Sequence, residues 1–185
     1  MTDKVRLEID GAIATITNDN TDKHNAFDDE MDARLFAIFD ELIATPSVRA
    51  VIWRGEGKSW SSGRDVAAIG TNVTELTHHE LMTRGHRGIQ RIWELEAPII
   101  VAIQGWAIGG SFQRALLCDV RIAAEGARFM LPEVGHGVIP DTGGRGEQYA
   151  MSVDGVRRDL GRCRRGLAPA EARARAGGRP RLPPD

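Results

Sequence analysis

The chain has 185 residues, of which 42% are apolar and 27% charged, and its formal net charge is −2. This balance fits one soluble domain with a packed core, and the charge gives no electrostatic basis for binding nucleic acid or an anionic membrane. The charged N-terminus and the lack of an apolar run of about 20 residues predict neither a secretory leader nor a membrane span.

Hydrophobic periodicity predicts eight elements in the order β-β-α-β-α-β-α-β, which indicates an α/β fold. Asp10-Gly11 is a hairpin turn signal between the first two strands. Pro46 ends the first helix. The predicted strands are 5–9, 12–17, 49–54, 98–103 and 119–123, and the predicted helices are about 26–45, 76–95 and 111–117, with a loop at 55–70 and a turn at 105–110.

Several common motifs are excluded by spacing. Residues 57–59 read Gly-Lys-Ser, but Ile52 occupies the place of the first glycine of a phosphate-binding loop. No glycine-rich dinucleotide fingerprint follows a strand. The histidines at 78–79 and His86 lack cysteine or acidic partners at ligand spacing, so we expect surface histidines and no metal site.

Two glycine loops remain as candidates for chemistry, at 58–66 and 104–113. Each follows a strand or its connecting turn. The second loop runs into a helix, so the N–H groups of Gly110 and Ser111 are unpaired at the positive end of that helix. Such a pair of groups suits a developing oxyanion. The alternative is that the glycines only allow tight turns.

Taken together, the two loops resemble the paired oxyanion-hole segments of the crotonase superfamily, the enoyl-CoA hydratase/isomerase relatives. Three further segments resemble that family in the same order: Lys23 to Phe27, Ala127 to Val134 and Gly137 to Gly144. The resemblance covers residues 4–144 well and continues more weakly afterwards. It implies a crotonase-like spiral of ββα units that lacks the usual C-terminal helical segment.

The resemblance also implies roles in substrate binding. The backbone N–H groups of Arg64 and Gly110 would bind the thioester carbonyl oxygen more strongly as it gains enolate charge. Ala26, Asp65, Val66 and Ala67 would line the groove for coenzyme A. For Asp65, a turn or helix cap is the alternative.

The acid–base groups implied by the resemblance are Glu133, Gln113 and Asp141. Hydratases of the family use two glutamates around a water molecule, and Gln113 occupies the position of the first, where it could orient a water but not exchange a proton. Glu133 matches the second, and Asp141 matches a position where some isomerases and dehalogenases carry an aspartate. A helix N-terminal acid is the alternative for Glu133, and a turn residue is the alternative for Asp141.

We expect residues 1–144 to form the crotonase-like core. Residues 145–185 form an Arg/Ala/Gly-rich, degraded family-like tail with ten arginines between Arg145 and Arg181. The tail offers little apolar area, so poor order is one expectation for it. A truncated or degraded C-terminal end would put the acyl-site cover and the family's trimer in doubt.

These observations lead to three hypotheses about function. The first is an acyl-CoA enzyme of the hydratase or isomerase type in fatty-acid or related metabolism, with Glu133 as the main acid/base, no cofactor besides the substrate's own coenzyme A, and a homotrimer or hexamer as its assembly. The second is a non-catalytic protein that binds coenzyme A or oligomerises. The third is a non-functional truncated product. The isolated Cys118 and Cys163 indicate a reducing cytoplasm.

Overall fold

The computed structural model describes residues 3–68 and 77–136. The predicted boundary at residue 144 and the predicted site residue Asp141 lie outside the described residues. The strands are β1 Val5–Asp10, β2 Ile13–Asn18, β3 Ala50–Gly55, β4 Ile99–Ile103, β5 Trp106–Ile108, β6 Val120–Ala123 and β7 Arg128–Met130, and the α-helices are α1 Asp29–Ile43, α2 His78–Glu94 and α3 Gly110–Leu117. Short 3₁₀ turns lie at Thr21–Lys23, Val66–Ala68 and Glu133–His136.

The main sheet has five strands in the order β1-β2-β3-β4-β6. The β1–β2 pair is antiparallel, and each later pair is parallel. Ile16, Trp53 and Val101 lie side by side in register on neighbouring strands, and all three are fully buried. The α/β class predicted from the sequence is confirmed.

Helix α1 covers this sheet with an apolar face that includes Met31, Leu35 and Phe39, all fully buried. The ring of Phe39 meets Trp53 edge-on, with centroids 5.8 Å apart. The predicted start of this helix at about Ala26 is wrong. Asp28 is the N-cap, and its side chain accepts a hydrogen bond from the Met31 N–H at 2.9 Å.

The predicted turn at 105–110 is also partly wrong, because it contains strand β5. This strand pairs in parallel with β7, and the two form a separate small sheet. Gly105 makes the turn before β5 with a φ of +58°, and a Cβ there would lie 1.9 Å from the Lys58 carbonyl oxygen. The close approach of these two loops therefore requires glycine.

Candidate functional site

The structure places the two glycine loops side by side. Trp60 N–H donates to the Gln104 carbonyl at 2.8 Å, and Ser61 N–H donates to the Trp106 carbonyl at 3.0 Å. In return, Ile108 N–H donates to the Ser61 carbonyl at 3.2 Å. These bonds make a short parallel pairing between segments that are far apart in the sequence.

The pairing brings Gly63 against Gly109. A Cβ on Gly63 would lie 2.7 Å from the Ile108 carbonyl oxygen and 3.9 Å from the Gly109 Cα. Both glycines have positive φ, +95° and +56°, a backbone region that other residues rarely adopt. The residues that follow them in the chain, Arg64 and Gly110, are therefore close together in space.

The N–H of Arg64 points away from Phe27, whose backbone pairs with the first loop. Phe27 N–H donates to the Gly63 carbonyl, and Asp65 N–H donates to the Phe27 carbonyl, both at 2.8 Å. In such a parallel bridge the residue between the two bonds directs its own N–H to the opposite side. Among the described residues, the Arg64 N–H has no acceptor.

Gly110 supplies the second free N–H. The preceding amide, on Gly109, donates to the Met130 carbonyl at 2.8 Å, and the Gly109 carbonyl accepts from Gln113 N–H at 3.0 Å. Gly110 is the first residue of α3, so its N–H has no partner within the helix and lies at the positive end of the helix dipole. No acceptor for it exists in the part of the chain that the structure describes.

Glu133 lies beside Gly109, the residue that precedes the Gly110 amide. Its carboxylate Oε1 accepts a hydrogen bond from Gln113 Nε2 at 2.7 Å. The same oxygen lies 3.3 Å from the place that a Cβ on Gly109 would occupy. Gln113 itself is 1% exposed, so its amide is a fixed donor in the protein interior. The structure thus brings Arg64, Gly110, Gln113 and Glu133 into one region, and the roles that the resemblance implies for them stay predictions.

Of the four residues predicted for the coenzyme A groove, Asp65, Val66 and Ala67 directly follow Arg64, and Ala26 directly precedes Phe27, whose backbone pairs with that segment. Ala26 is buried, and its carbonyl accepts from Asn20 Nδ2 at 2.9 Å, whereas Val66 is 78% exposed and Ala67 is also exposed. The side chain of Val66 is therefore open to a ligand, and that of Ala26 is not.

Asp65 has two contacts that support the alternative of a cap. Its Oδ1 accepts from Ala67 N–H at 3.0 Å, and its Oδ2 pairs with Lys23 Nζ at 2.6 Å. The hydrogen bond from Lys23 lowers the pKa of Asp65 below its ordinary value. Asp65 is therefore ionised at neutral pH and fixes the turn that follows Arg64.

A hydroxyl pair that sequence reasoning missed also joins the two loops. The Oγ atoms of Ser61 and Ser111 are 2.7 Å apart and buried. Ser61 Oγ donates its proton to the Asn25 carbonyl at 2.6 Å, so Ser111 is the donor in the bond between the two serines. The sequence shows three serines in the first loop and one in the second, which does not predict this contact.

Residues 3–68 and 77–136 contain no group of three or more histidine, cysteine, aspartate or glutamate side chains that could hold a metal ion. Within the same ranges, the helices are too short or too polar to cross a membrane.

Comparison with known proteins identifies relatives of this chain. The family model described as enoyl-CoA hydratase/isomerase matches residues 8–150. A protein of Mycobacterium tuberculosis named probable enoyl-CoA hydratase EchA14 is 36% identical over 127 residues, which are 69% of this chain and 49% of the relative. The carnitinyl-CoA dehydratase of Escherichia coli is 34% identical over 145 residues, 78% of this chain and 54% of the relative.

The fold matches solved structures of the same family. The crystal structure of an enoyl-CoA hydratase/isomerase from Marinobacter aquaeolei superposes with a TM-score of 0.81 at 27% identity, and the match covers 95% of this chain and 69% of that chain. The chain spans about half the length of the curated relatives that it matches.

Proposed function

The chain belongs to the enoyl-CoA hydratase/isomerase family, and from this premise we propose that it binds an acyl-CoA thioester and stabilises its enolate in a hydratase- or isomerase-type reaction. The observation that carries the proposal is the pair of N–H groups, on Arg64 and Gly110, that have no acceptor among the described residues and lie near the Glu133 carboxylate. The reaction belongs to fatty-acid or related acyl-CoA metabolism.

The two N–H groups bind the thioester carbonyl oxygen. The oxygen carries a partial charge in the bound substrate and nearly a full charge in the enolate, so both hydrogen bonds strengthen as the reaction proceeds. The dipole of α3 adds to the Gly110 contribution. Each donor of this kind is worth about 10²–10³ in rate.

Glu133 is the main acid/base in this proposal. A carboxylate next to the oxyanion site can take a proton from the carbon beside the thioester carbonyl, or return one there. Gln113 holds Glu133 Oε1 through its 2.7 Å bond and orients it, but its amide cannot exchange protons at neutral pH. The hydration route with two glutamates is therefore weakened, and Asp141 is the candidate for a second proton-carrying group.

The coenzyme A portion of the substrate lies against the exposed residues Val66 and Ala67, next to Asp65 and the backbone of the buried Ala26. The exposure of Val66 and Ala67 supports this assignment. Apart from the coenzyme A that arrives with the substrate, the proposed reaction uses no cofactor, because proton transfer and charge stabilisation by the protein are sufficient for it.

A direct assay tests the proposal. Purified chain is mixed with crotonyl-CoA and, separately, with a 3-enoyl-CoA, and the absorbance of the conjugated thioester is followed. We expect turnover of at least one substrate, and a loss of about 10²–10⁴ in rate for Glu133→Gln. Turnover that is unchanged in Glu133→Gln would refute the role of Glu133.

A second candidate function is favoured by Gln113 alone. If the missing glutamate abolishes the chemistry, the chain is a non-catalytic protein that binds coenzyme A thioesters. Binding of acetoacetyl-CoA without turnover of either enoyl-CoA would select this function. Turnover that depends on Glu133 would exclude it.

The proposal extends to assembly and location. We propose a homotrimer or hexamer by analogy with the family. This requires that the part of the relatives that this chain does not span is unnecessary for assembly. The molecular mass in solution, measured by light scattering, tests it, and a monomer mass would contradict it. A cytoplasmic location rests on the isolated Cys118 and Cys163.

A further inference from the structure

We propose that Asp32 is a positioning residue that sets the separation of the two oxyanion N–H groups, an inference that rests on the proposed function. Asp32 lies in the first turn of α1. Its Oδ2 accepts a hydrogen bond from Arg64 Nη1 at 3.0 Å, and its Oδ1 accepts one from Arg114 Nη2 at 2.7 Å. One carboxylate therefore connects side chains from both loop regions.

Each arginine belongs to an element that carries one of the donors. Arg64 is itself the residue whose N–H faces the substrate carbonyl. Arg114 lies four residues after Gly110 in α3, which places it about one turn farther along the same side of that helix. Asp32 therefore links both donor segments to α1.

Burial gives this connection its strength. The side chain of Asp32 is 16% exposed and that of Arg114 is 8% exposed, so solvent screens the pair weakly. Removing one partner of such a pair leaves buried charge without compensation. In the described structure, Arg114 Nε and Nη1 have no hydrogen-bond acceptor, so its contact with Asp32 is the ion pair that orients it.

Phe27 also contacts both donor segments. Its backbone bonds flank Arg64 on both sides, and its ring lies under the guanidinium of Arg114, with the Cζ atom 4.6 Å from the ring centroid. The segment 27–32 thus contacts the first loop and α3 together. We assign to it the function of holding the donors in register, with Asp32 as its central residue.

The first test replaces Asp32 by asparagine. Asp32→Asn has the same shape but presents an NH₂ group to one arginine, which breaks one of the two bonds. We expect kcat with the enoyl-CoA substrate to fall about 10- to 100-fold, the scale of a 1 Å misplacement, while KM changes less than threefold. The absorbance band of a bound conjugated thioester, which shifts to longer wavelength when its carbonyl is polarised, should shift less than in the wild type.

Asp40→Asn is the matched control. Asp40 lies on the same helix, about two turns after Asp32, and pairs with Arg91 Nη2 at 3.1 Å, away from both loops. Removing this carboxylate should leave kcat and the absorbance shift at wild-type values. A fall equal to that of Asp32→Asn would overturn the proposal, because any lost ion pair on α1 would then have the same effect.

A second variant covers the case in which Asp32→Asn does not fold. Arg64→Ala keeps the backbone N–H and removes only the side chain. The lost side chain pairs with Asp29 as well as with Asp32. Asp32 then retains Arg114, and Asp29 retains Arg84 at 3.5 Å. We expect the same reduced carbonyl shift and lower kcat.

The outcomes separate this inference from the proposed function. If both variants keep the wild-type shift and kcat, Asp32 does not position the donors and the inference fails. If the wild-type chain itself binds an acyl-CoA without any carbonyl shift, the proposed function fails first, and the inference with it.

Discussion

The contact between Gly63 and the second loop predicts that Gly63→Ala damages the site and the fold together. The new Cβ would lie 2.7 Å from the Ile108 carbonyl oxygen, a distance that Cβ atoms essentially never show. Backbone cannot rotate out of the way as a side chain can, so the loops must separate. Arg64 is the next residue, and its N–H would move with the loop.

Two effects set the expected loss of stability. An L-residue at a φ of +95° is strained by about 1–3 kcal/mol. Forcing an extra carbon into a packed contact costs about 1–3 kcal/mol more. We therefore expect Gly63→Ala to lower the free energy of unfolding by about 2–6 kcal/mol, a large part of the 5–15 kcal/mol that holds a typical domain together.

Gly126→Ala is the matched control. Gly126 also has a positive φ, +82°, but a Cβ there would meet nothing within 4 Å. This variant should show only the strain of about 1–3 kcal/mol. Urea unfolding of both variants gives the difference, and the absorbance shift of a bound conjugated acyl-CoA reports the site. If Gly63→Ala is no more destabilised than Gly126→Ala and polarises the thioester normally, the described contact between the loops is wrong.

Three more predictions follow from single contacts. Gln113→Glu should raise crotonyl-CoA hydration by about 10²–10⁴, because it supplies a second proton-carrying group; an unchanged rate in the absorbance assay would contradict the role assigned to this position. Ser111→Ala removes the 2.7 Å bond to Ser61 and should lower the free energy of unfolding by about 0.5–1.5 kcal/mol, measured in urea, and a loss near zero would show that the bond is not made. The lowered pKa of Asp65 means that its pairing with Lys23 stabilises the fold above the unfolded pKa of about 3.9 and is lost as pH falls through the folded value. The stability difference between wild type and Asp65→Asn should therefore shrink in acid, and a difference that stays constant from pH 6 to pH 2 would refute this pairing.

Much of the main sheet can be predicted from the sequence because each strand has its own periodic signal. The alternation in Val5–Asp10 and the Asp10-Gly11 turn predict the first hairpin, and the run Ile99–Ile103 predicts a central strand. The small sheet was missed because β5 and β7 have three residues each, too few for any period to appear.

The start of α1 shows how tertiary pairing overrides a helical pattern. Ala26 and Phe27 continue the apolar spacing of the helix, yet Phe27 is extended because its backbone pairs with residues 63–65. The capping side chain of Asp28 then fixes the start of the helix at Asp29. Nothing local in the sequence indicates that the loop around Arg64 competes for Phe27.

The backbone donors and the side-chain contacts of the candidate site differ in how far the sequence indicates them. The resemblance to a family pattern points to Arg64 and Gly110 as backbone donors, and this role stays a prediction. Side-chain contacts across the fold could not be predicted from the sequence. Ser61 and Ser111 are 50 residues apart, and Asp32 and Arg114 are 82 apart, so only the folded chain brings either pair together.

A crystal structure of the chain with acetoacetyl-CoA tests the central claim most directly. The account predicts that the thioester carbonyl oxygen lies about 2.7–3.1 Å from the N–H nitrogens of both Arg64 and Gly110, with the Glu133 carboxylate beside the acyl group. A bound thioester whose oxygen contacts neither nitrogen would contradict it.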